Sequence, residues 1–454
     1  MVKKRLFAVI AAVAVMVVLG ACGSNGTVAN ITEESTVSEE ENVIKSETAQ
    51  IEENDTETTE AVIDQADENN TMQENDFDIE SYQSLQSFSY NLFAEKTDAK
   101  NPVLSPTSAY LALTMAGLGA DGNTRTEFDH VLGEDMMALS GNLMNKLPVE
   151  SDYQILSLAN SAWIDDQYIV DEKWISSIKS VLSAEEFQDN LSSTDAMNRM
   201  NSWIDEKTKS LIKKMIAKPL PERTRLVLFN TIYFKGKWCN PFEMDLTYTD
   251  TFHVSDTEQV ETAMMHKSSE YFDYVSNDFA EGLIFPYLSD TAEHNLALIA
   301  LKPREDMDVR EMYQKLNSDV VSEMISDQQT VMVNTMLPKF EIAFEADLND
   351  NLINMGLVDG FDPDKADFTL MGRNESENNL YIGLVKQKAK IIVDEEGTEA
   401  AAATEIAMIE SCALIEEEPI DVFFDEPFLY MIMDMDREIP LFMGILDNPA
   451  ETND

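Results

Sequence analysis

The chain has 454 residues, with 85 Asp and Glu against 32 Lys and Arg, for a formal net charge of −53. So large a negative excess excludes nucleic acid and anionic membrane surfaces as partners, since both would repel it, and favours encounter with a basic protein. Three cysteines, Cys22, Cys239 and Cys412, are too few for a disulfide scaffold, and His130, His253, His266 and His294 show neither zinc-ligand spacing nor an HExxH helix. With no GxSxG elbow or P-loop either, enzymatic chemistry has no visible seat, and no metal or cofactor is implied.

In chain order, Lys3, Lys4 and Arg5 precede an apolar run from Leu6 to Leu19 that closes on Leu19-Gly20-Ala21-Cys22. The run reads as an export signal. It is shorter than the roughly 20 residues a membrane-spanning helix needs, and its small-small-Cys ending resembles the bacterial lipobox. Residues 1–21 are therefore expected to be a lipoprotein signal peptide and Cys22 the acylated first residue of the mature protein. The alternative is a plain cleaved signal with an incidental cysteine, and both place the mature protein outside the cytoplasm. The expectation is a cell-surface lipoprotein of a bacterial membrane, touching that membrane through its lipid alone.

Residues 22–76 are rich in Thr, Glu, Asp, Asn and Ser, with Lys45 as the one basic side chain and no aromatic. Such a segment cannot bury enough apolar surface to offset its ordering entropy, and its like charges repel, so it reads as an acidic, extended linker. From Phe77 to Asp454 the composition is globular, and no second linker or repeat divides it.

Within the globular part, Ser81 to Lys96 carries apolar residues at helical spacing, and Ser108 to Gly119 follows the Ser105-Pro106 boundary signal. Further helices are expected around Asp195 to Ile216, ending before Pro219. The period then changes. Arg225 to Lys235 and Asn295 to Leu301 are short, densely apolar runs suited to buried strands. Val331 to Phe344 reads as strands broken at Pro338, and Leu348 to Met355 as a short helix. Lys388 to Asp394, Ile420 to Phe424 and Leu429 to Met435 read as strands. Helices early and strands late predict a mixed α+β domain with large antiparallel sheets.

Between the strand-like runs at Lys388 and Ile420 lies an acidic, alanine-rich segment, Gly397 to Glu410. Alanine, glutamate and methionine favour a helix, yet four consecutive alanines give no distinct apolar stripe to anchor one. At period two, Thr398, Ala400, Ala402, Thr404, Ile406 and Met408 share one side, while Glu399 and Glu405 share the other, toward solvent. A segment able to serve as exposed loop and as buried strand is what a fold-switching device requires.

Asp394-Glu395-Glu396-Gly397-Thr398-Glu399-Ala400-Ala401-Ala402-Ala403-Thr404 closely resembles the reactive-loop hinge of inhibitory serpins. It is followed by Asp425-Glu426-Pro427-Phe428-Leu429 and Pro440-Leu441-Phe442-Met443-Gly444, which look like the family's C-terminal signature. Leu228 to Trp238, with Pro241-Phe242, is similar to its central strand motif, and Asn101 to Ser108 to the opening of its second helix. The resemblance runs in order from about Phe77 to Pro449. It implies three β-sheets, about nine α-helices and an exposed reactive loop, in a monomer that traps a serine protease covalently by inserting the cleaved loop into its main sheet. It further implies that Ser105, Ser108 and Asn230 are shutter residues under that sheet, with Gln387 in place of the family's usual histidine, and that Trp238 lies beneath the site of first insertion.

Counting about fourteen residues on from Gly397, the length that strand insertion fixes from the hinge end, gives the Ser411-Cys412 bond. Counting back from Pro427 lands near Glu416. Glu410 supports the hinge count, being the first charge that insertion would turn inward. The scissile candidates are Ile409, Glu410, Ser411 and Cys412. No Arg or Lys stands there, so the resemblance implies an elastase-like or subtilisin-like target and not a trypsin-like one. Two alternatives are a non-inhibitory surface binding module on the same fold and a cross-class inhibitor of cysteine proteases.

Overall fold

A helix that is apolar on every side has to be buried on every side, and Pro106–Gly117 (α1) meets that condition at all twelve residues. Pro106 suits the first turn because its missing N–H would have had no partner there, and the Ser105 side chain accepts the Ser108 backbone N–H. The helix starts two residues before the expected Ser108. Around it, the computed structural model describes residues 9–21, 77–304, 307–373, 380–396 and 418–451, with side chains of the first stretch described from 12 to 19. Among these residues are nine α-helices and three sheets, of seven, nine and two strands, as the α+β reading expected.

The seven-stranded sheet positions the site. Its five long strands are β1 (Val9–Ala21), β2 (Gln154–Asp165), β3 (Thr224–Gly236), β4 (Phe340–Asp347) and β5 (Leu380–Val393). They lie in the order β4-β5-β1-β3-β2, with β1 antiparallel to both neighbours. Strands β3 and β5 are consequently parallel to each other and stand one strand apart. The nine-stranded sheet packs beneath and includes the hairpin strands Phe428–Asp434 and Ile439–Leu446, both buried at every residue, with Val103–Leu104 at the edge beyond them. On the far side of the first sheet lies the helix Thr194–Lys207 (α2), capped by Ser193, which accepts the Ala196 N–H.

Most elements fall where the periodicity placed them. Leu296–Pro303, Phe428–Asp434 and the pair Gln329–Pro338 and Phe340–Asp347 match the expected strands, with Pro338 at the break. Three differences have physical causes. The helical stretch expected around Asp195 to Ile216 stops at Lys207, because the Thr208 hydroxyl turns back onto the Ile204 carbonyl and Lys209 and Ser210 take positive φ of 49° and 65°. Strand β2 breaks the order of helices early and strands late; its partner β3 supplies the ladder that an isolated run lacks. The apolar run read as an export signal is here, still attached, the central strand β1.

Candidate functional site

The place between β3 and β5 is a slot one strand wide. Neighbouring strands stand about 4.7–4.9 Å apart, so a single strand fills it. Strand β1 does so, in register from Ile10 opposite Ile392 and Lys235 to Val18 opposite Leu384 and Val227, with a one-residue shift against β5 before Leu19 meets Ile382. Its side chains divide by period two. Val13, Val15, Val17 and Leu19 join the main core above α1, while Ala12, Ala14, Met16 and Val18 join a second buried cluster that includes Met200, Trp203 and Ile204 of α2. Both faces of the slot are thus covered along its middle.

The floor of the slot is polar in an otherwise apolar core. Ser105, Ser108, Asn230 and Gln387, named from sequence as shutter residues, meet there, each at most 1 % exposed. Gln387 Nε2–H donates to the Ser105 carbonyl at 2.9 Å, and the Ser105 N–H donates to Gln387 Oε1 at 3.0 Å. The Ser108 hydroxyl donates to Asn230 Oδ1. Asn230 Nδ2–H in turn donates to Asn160 Oδ1 at 2.8 Å, and Asn160 Nδ2–H to the Leu182 carbonyl at 2.7 Å. One hydrogen-bonded chain therefore ties β5 to α1 and another ties α1 through β3 to β2. Val15 of β1 lies opposite Asn230 on one side and Gln387 on the other, directly across this floor. Asn160 escaped the sequence reading; the signal was a lone amide inside the apolar run Ile155 to Ile164.

Buried groups bonded this way cost most when one partner is removed. Asn230→Ala leaves the Ser108 hydroxyl and Asn160 Oδ1 without partners. It should lower the stability of the domain by about 2–4 kcal/mol, read as a lower urea midpoint at unchanged slope.

The upper end of the slot is closed by a second cluster. Trp238, just past β3, donates its indole N–H to the Asp394 carbonyl, just past β5, at 2.9 Å. The bond spans the slot above the first residues of β1. Trp238 is stacked on Tyr287 with ring centroids 4.7 Å apart, which fixes the indole plane. Phe242 donates its N–H to the Glu395 carbonyl at 2.9 Å, and Lys339 pairs with the Glu395 carboxylate at 2.5 Å. The sequence reading named Trp238 but not its partners. Asp394 and Glu395 were read as part of the hinge motif, and Lys339 carried no signal.

Burial raises the Asp394 carboxyl above its usual range, against the Glu396 N–H and the Lys339 charge that favour ionisation. Its Oδ2 has no hydrogen-bond partner among the described residues. Burial also opposes ionisation of Glu395, but there the Lys339 ammonium prevails and the carboxyl lies below its usual range. The signs follow from linkage. A raised acid favours the fold while protonated and works against it as pH rises through its folded value; a lowered acid stabilises above its unfolded value and loses that as pH falls. Asp394→Asn keeps an oxygen for the Glu396 N–H and removes the buried charge. It should stabilise the protein by about 1 kcal/mol near neutral pH and by almost nothing near pH 4, read as Tm against pH.

Strand β5 ends at Val393, and residues 397–417 lie outside the described residues. With them lie the hinge residues Gly397, Thr398, Glu399, Ala400, Ala401, Ala402, Ala403 and Thr404 and the scissile candidates Ile409, Glu410, Ser411 and Cys412. Cys22 and the linker 22–76 lie outside as well. The geometry nonetheless defines an entrance. A chain that leaves β5 at Val393 and reverses would run antiparallel to β5, in the direction of β1, and enter the slot at the Ile10 end beside Trp238.

Comparison with known proteins gives a consistent result. The family model described as Serpin (serine protease inhibitor) matches residues 83–449. Neuroserpin of Mus musculus is 30 % identical over 385 residues, covering 80 % of this chain and 90 % of that protein. A protein named Serine protease inhibitor from Cyanea capillata is 30 % identical over 365 residues, covering 77 % and 93 %. Among solved structures, the native state of the thermophilic serpin tengpin superposes with a TM-score of 0.73 at 28 % identity, covering 83 % of this chain and 96 % of that one.

Proposed function

The chain belongs to the serpin family, and from that premise we propose that it is an irreversible suicide inhibitor of serine proteases, displayed outside a bacterial cell on a lipid at Cys22. The observation that carries the reading is the slot. Its two walls are parallel strands that accept a third strand antiparallel to both, and its entrance lies where β5 hands the chain to the hinge.

The chemistry proposed is that of the protease, diverted. The protease serine attacks the Ser411 carbonyl, the bond to the Cys412 nitrogen breaks, and Ser411 is left as an ester on the enzyme. The freed chain from Thr398 onward then enters the slot and carries the acylated protease with it. About a dozen new backbone bonds at roughly 0.5–1.5 kcal/mol each, with the burial of small side chains, supply on the order of 10 kcal/mol to pull the catalytic triad out of shape. Thr398, Ala400, Ala402, Thr404, Ile406 and Met408 are small or apolar and face one way, which the core side of the slot requires. Ser105, Ser108, Asn230 and Gln387 regulate the parting of β3 and β5, and because the chain across the slot floor ends in an amide, that gate carries no titrating group of its own. Met408, Ile409 and Ala413 around the bond suit an elastase-like or subtilisin-like pocket, and the acidic surface speeds encounter with a basic protease. The protein acts as a monomer, and residues 22–76 space it from the membrane.

Incubation with elastase, subtilisin, trypsin and papain, followed by a denaturing gel, tests this. A covalent complex with elastase or subtilisin supports the reading, and mass spectrometry of the released C-terminal peptide, beginning at Cys412, names the bond. Clean cleavage with no complex would leave a serpin fold without inhibition, and a complex with papain alone would move the target to cysteine proteases.

A further inference from the structure

The walls of the slot stand one strand apart, and the strand between them is the chain's own N-terminal run. We infer that Val9–Ala21, for as long as it remains attached, is an intramolecular latch that holds the slot and bars the trap. The inference rests on the inhibitor reading for its functional consequence and on the geometry for the occupancy.

Three features make β1 a fitted occupant. The first is length: Ile10 to Ala21 pair with β5 and Val9 to Gly20 with β3, from the Trp238 end to Leu380. The second is side-chain size. Alanines at 12 and 14 fit beneath α2, while Val13, Val15, Val17 and Leu19 fill the wider core side, and each of the six is 0 % exposed. The third is composition. Val13, Val15, Val17 and Val18 are β-branched and suit a pleated strand, and no described side chain from 12 to 19 brings a charge or amide that would compete with the polar floor. Residues 9–21 also belong to the same compact unit as Phe77 onward.

Occupancy by β1 and insertion of the hinge exclude each other sterically, because both would run in the same direction against the same edges of β3 and β5. The latch therefore confers two properties on the uncleaved chain. It keeps β3 and β5 parted with their facing backbone edges bonded to β1, and it leaves a nicked loop with nowhere to go. Removal of residues 1–21 at the lipobox would empty the slot and arm the inhibitor only once it is outside the cell. One segment would then serve as address and as safety catch.

The test uses the full chain, unprocessed, beside two full-chain variants that make the run unfit for the slot. Val15→Lys with Val17→Lys places charge on the core side, and Ala12→Glu with Ala14→Glu places it beneath α2; Val15→Ile is the conservative control. Hydrogen exchange at the amides of 224–236 and 380–393 reports occupancy without reference to inhibition. Slot-facing amides should exchange roughly a hundredfold faster in both charged variants and at the original rate in the control. With a protease of the panel, the unmodified chain and the control should be cut with little covalent complex, while the charged variants form it. Equal exchange in all four chains, or equal complex from the unmodified chain, would overturn the latch. Faster exchange in the variants with no complex from any chain would uphold the latch and reject the inhibitor reading instead.

Discussion

Ala400→Arg, or Thr398→Arg, is expected to convert the processed chain from trap to substrate. In the slot, positions on the core side are those of Val13, Val15 and Val17, all fully buried above a floor of uncharged groups already bonded to one another. A guanidinium delivered there would find no carboxylate and would lose its hydration, at a cost of several kcal/mol. Trapping is a race between insertion and deacylation. A barrier raised by about 3 kcal/mol slows insertion more than a hundredfold, at 1.4 kcal/mol per tenfold. The yield of covalent complex should fall from most of the protease to a few per cent while the rate of loop cleavage is unchanged. Glu399→Arg is the companion measurement, because it alters the opposite side. A yield of complex undiminished by Ala400→Arg would mean that the segment does not insert with its even positions inward.

Cleavage of the loop should make the processed protein far more resistant to heat. Insertion worth on the order of 10 kcal/mol corresponds to a rise in Tm of roughly 20 °C, at about 2 °C per kcal/mol for a domain of this size. The same nick in the unprocessed chain should raise Tm by no more than a few degrees, because β1 already completes the sheet. Scanning calorimetry of both forms, before and after limited elastase digestion, separates the cases. A processed chain that melts at one temperature whether nicked or intact would end the trap mechanism.

The parts of the site that were legible in sequence are those written in consecutive residues. The hinge motif, the Leu228 to Trp238 strand and the Asn101 to Ser108 helix opening each carry a local pattern, which is enough to name Ser105, Ser108, Asn230 and Trp238, and Gln387 follows from its place ahead of the hinge. What linked them was not local. Asn160 completes the floor from a strand some 70 positions before Asn230, and Lys339 reaches Glu395 across 56 positions. Neither pairing leaves a trace in spacing. Likewise the length of α2 depended on one hydroxyl at Thr208 and two positive-φ residues, against a polar stretch that continues to look helical.

The largest gap between pattern and structure concerns the two sides of the slot. Alternation in Thr398 to Met408 says which residues would share a side in a strand, with Glu399 and Glu405 on the other. It does not say that α2 covers that other side over the stretch of Ala12 to Val18. A strand that brought Glu405 into that stretch would meet the apolar cluster of Met200 and Trp203.

By itself, the sequence determined the fold class and the order of its motifs, because these depend on local period and side-chain size along single segments; the hinge it proposes lies outside the described residues. Only the tertiary structure decided what stands opposite what: the polar floor, the Trp238 bond across the slot, the cover of α2 and the N-terminal run between β3 and β5. An apolar run of alanine and valine fits an export channel and a sheet equally well on hydropathy alone. What distinguishes them is a pair of strand edges one strand apart, and that exists only once distant parts of the chain have come together.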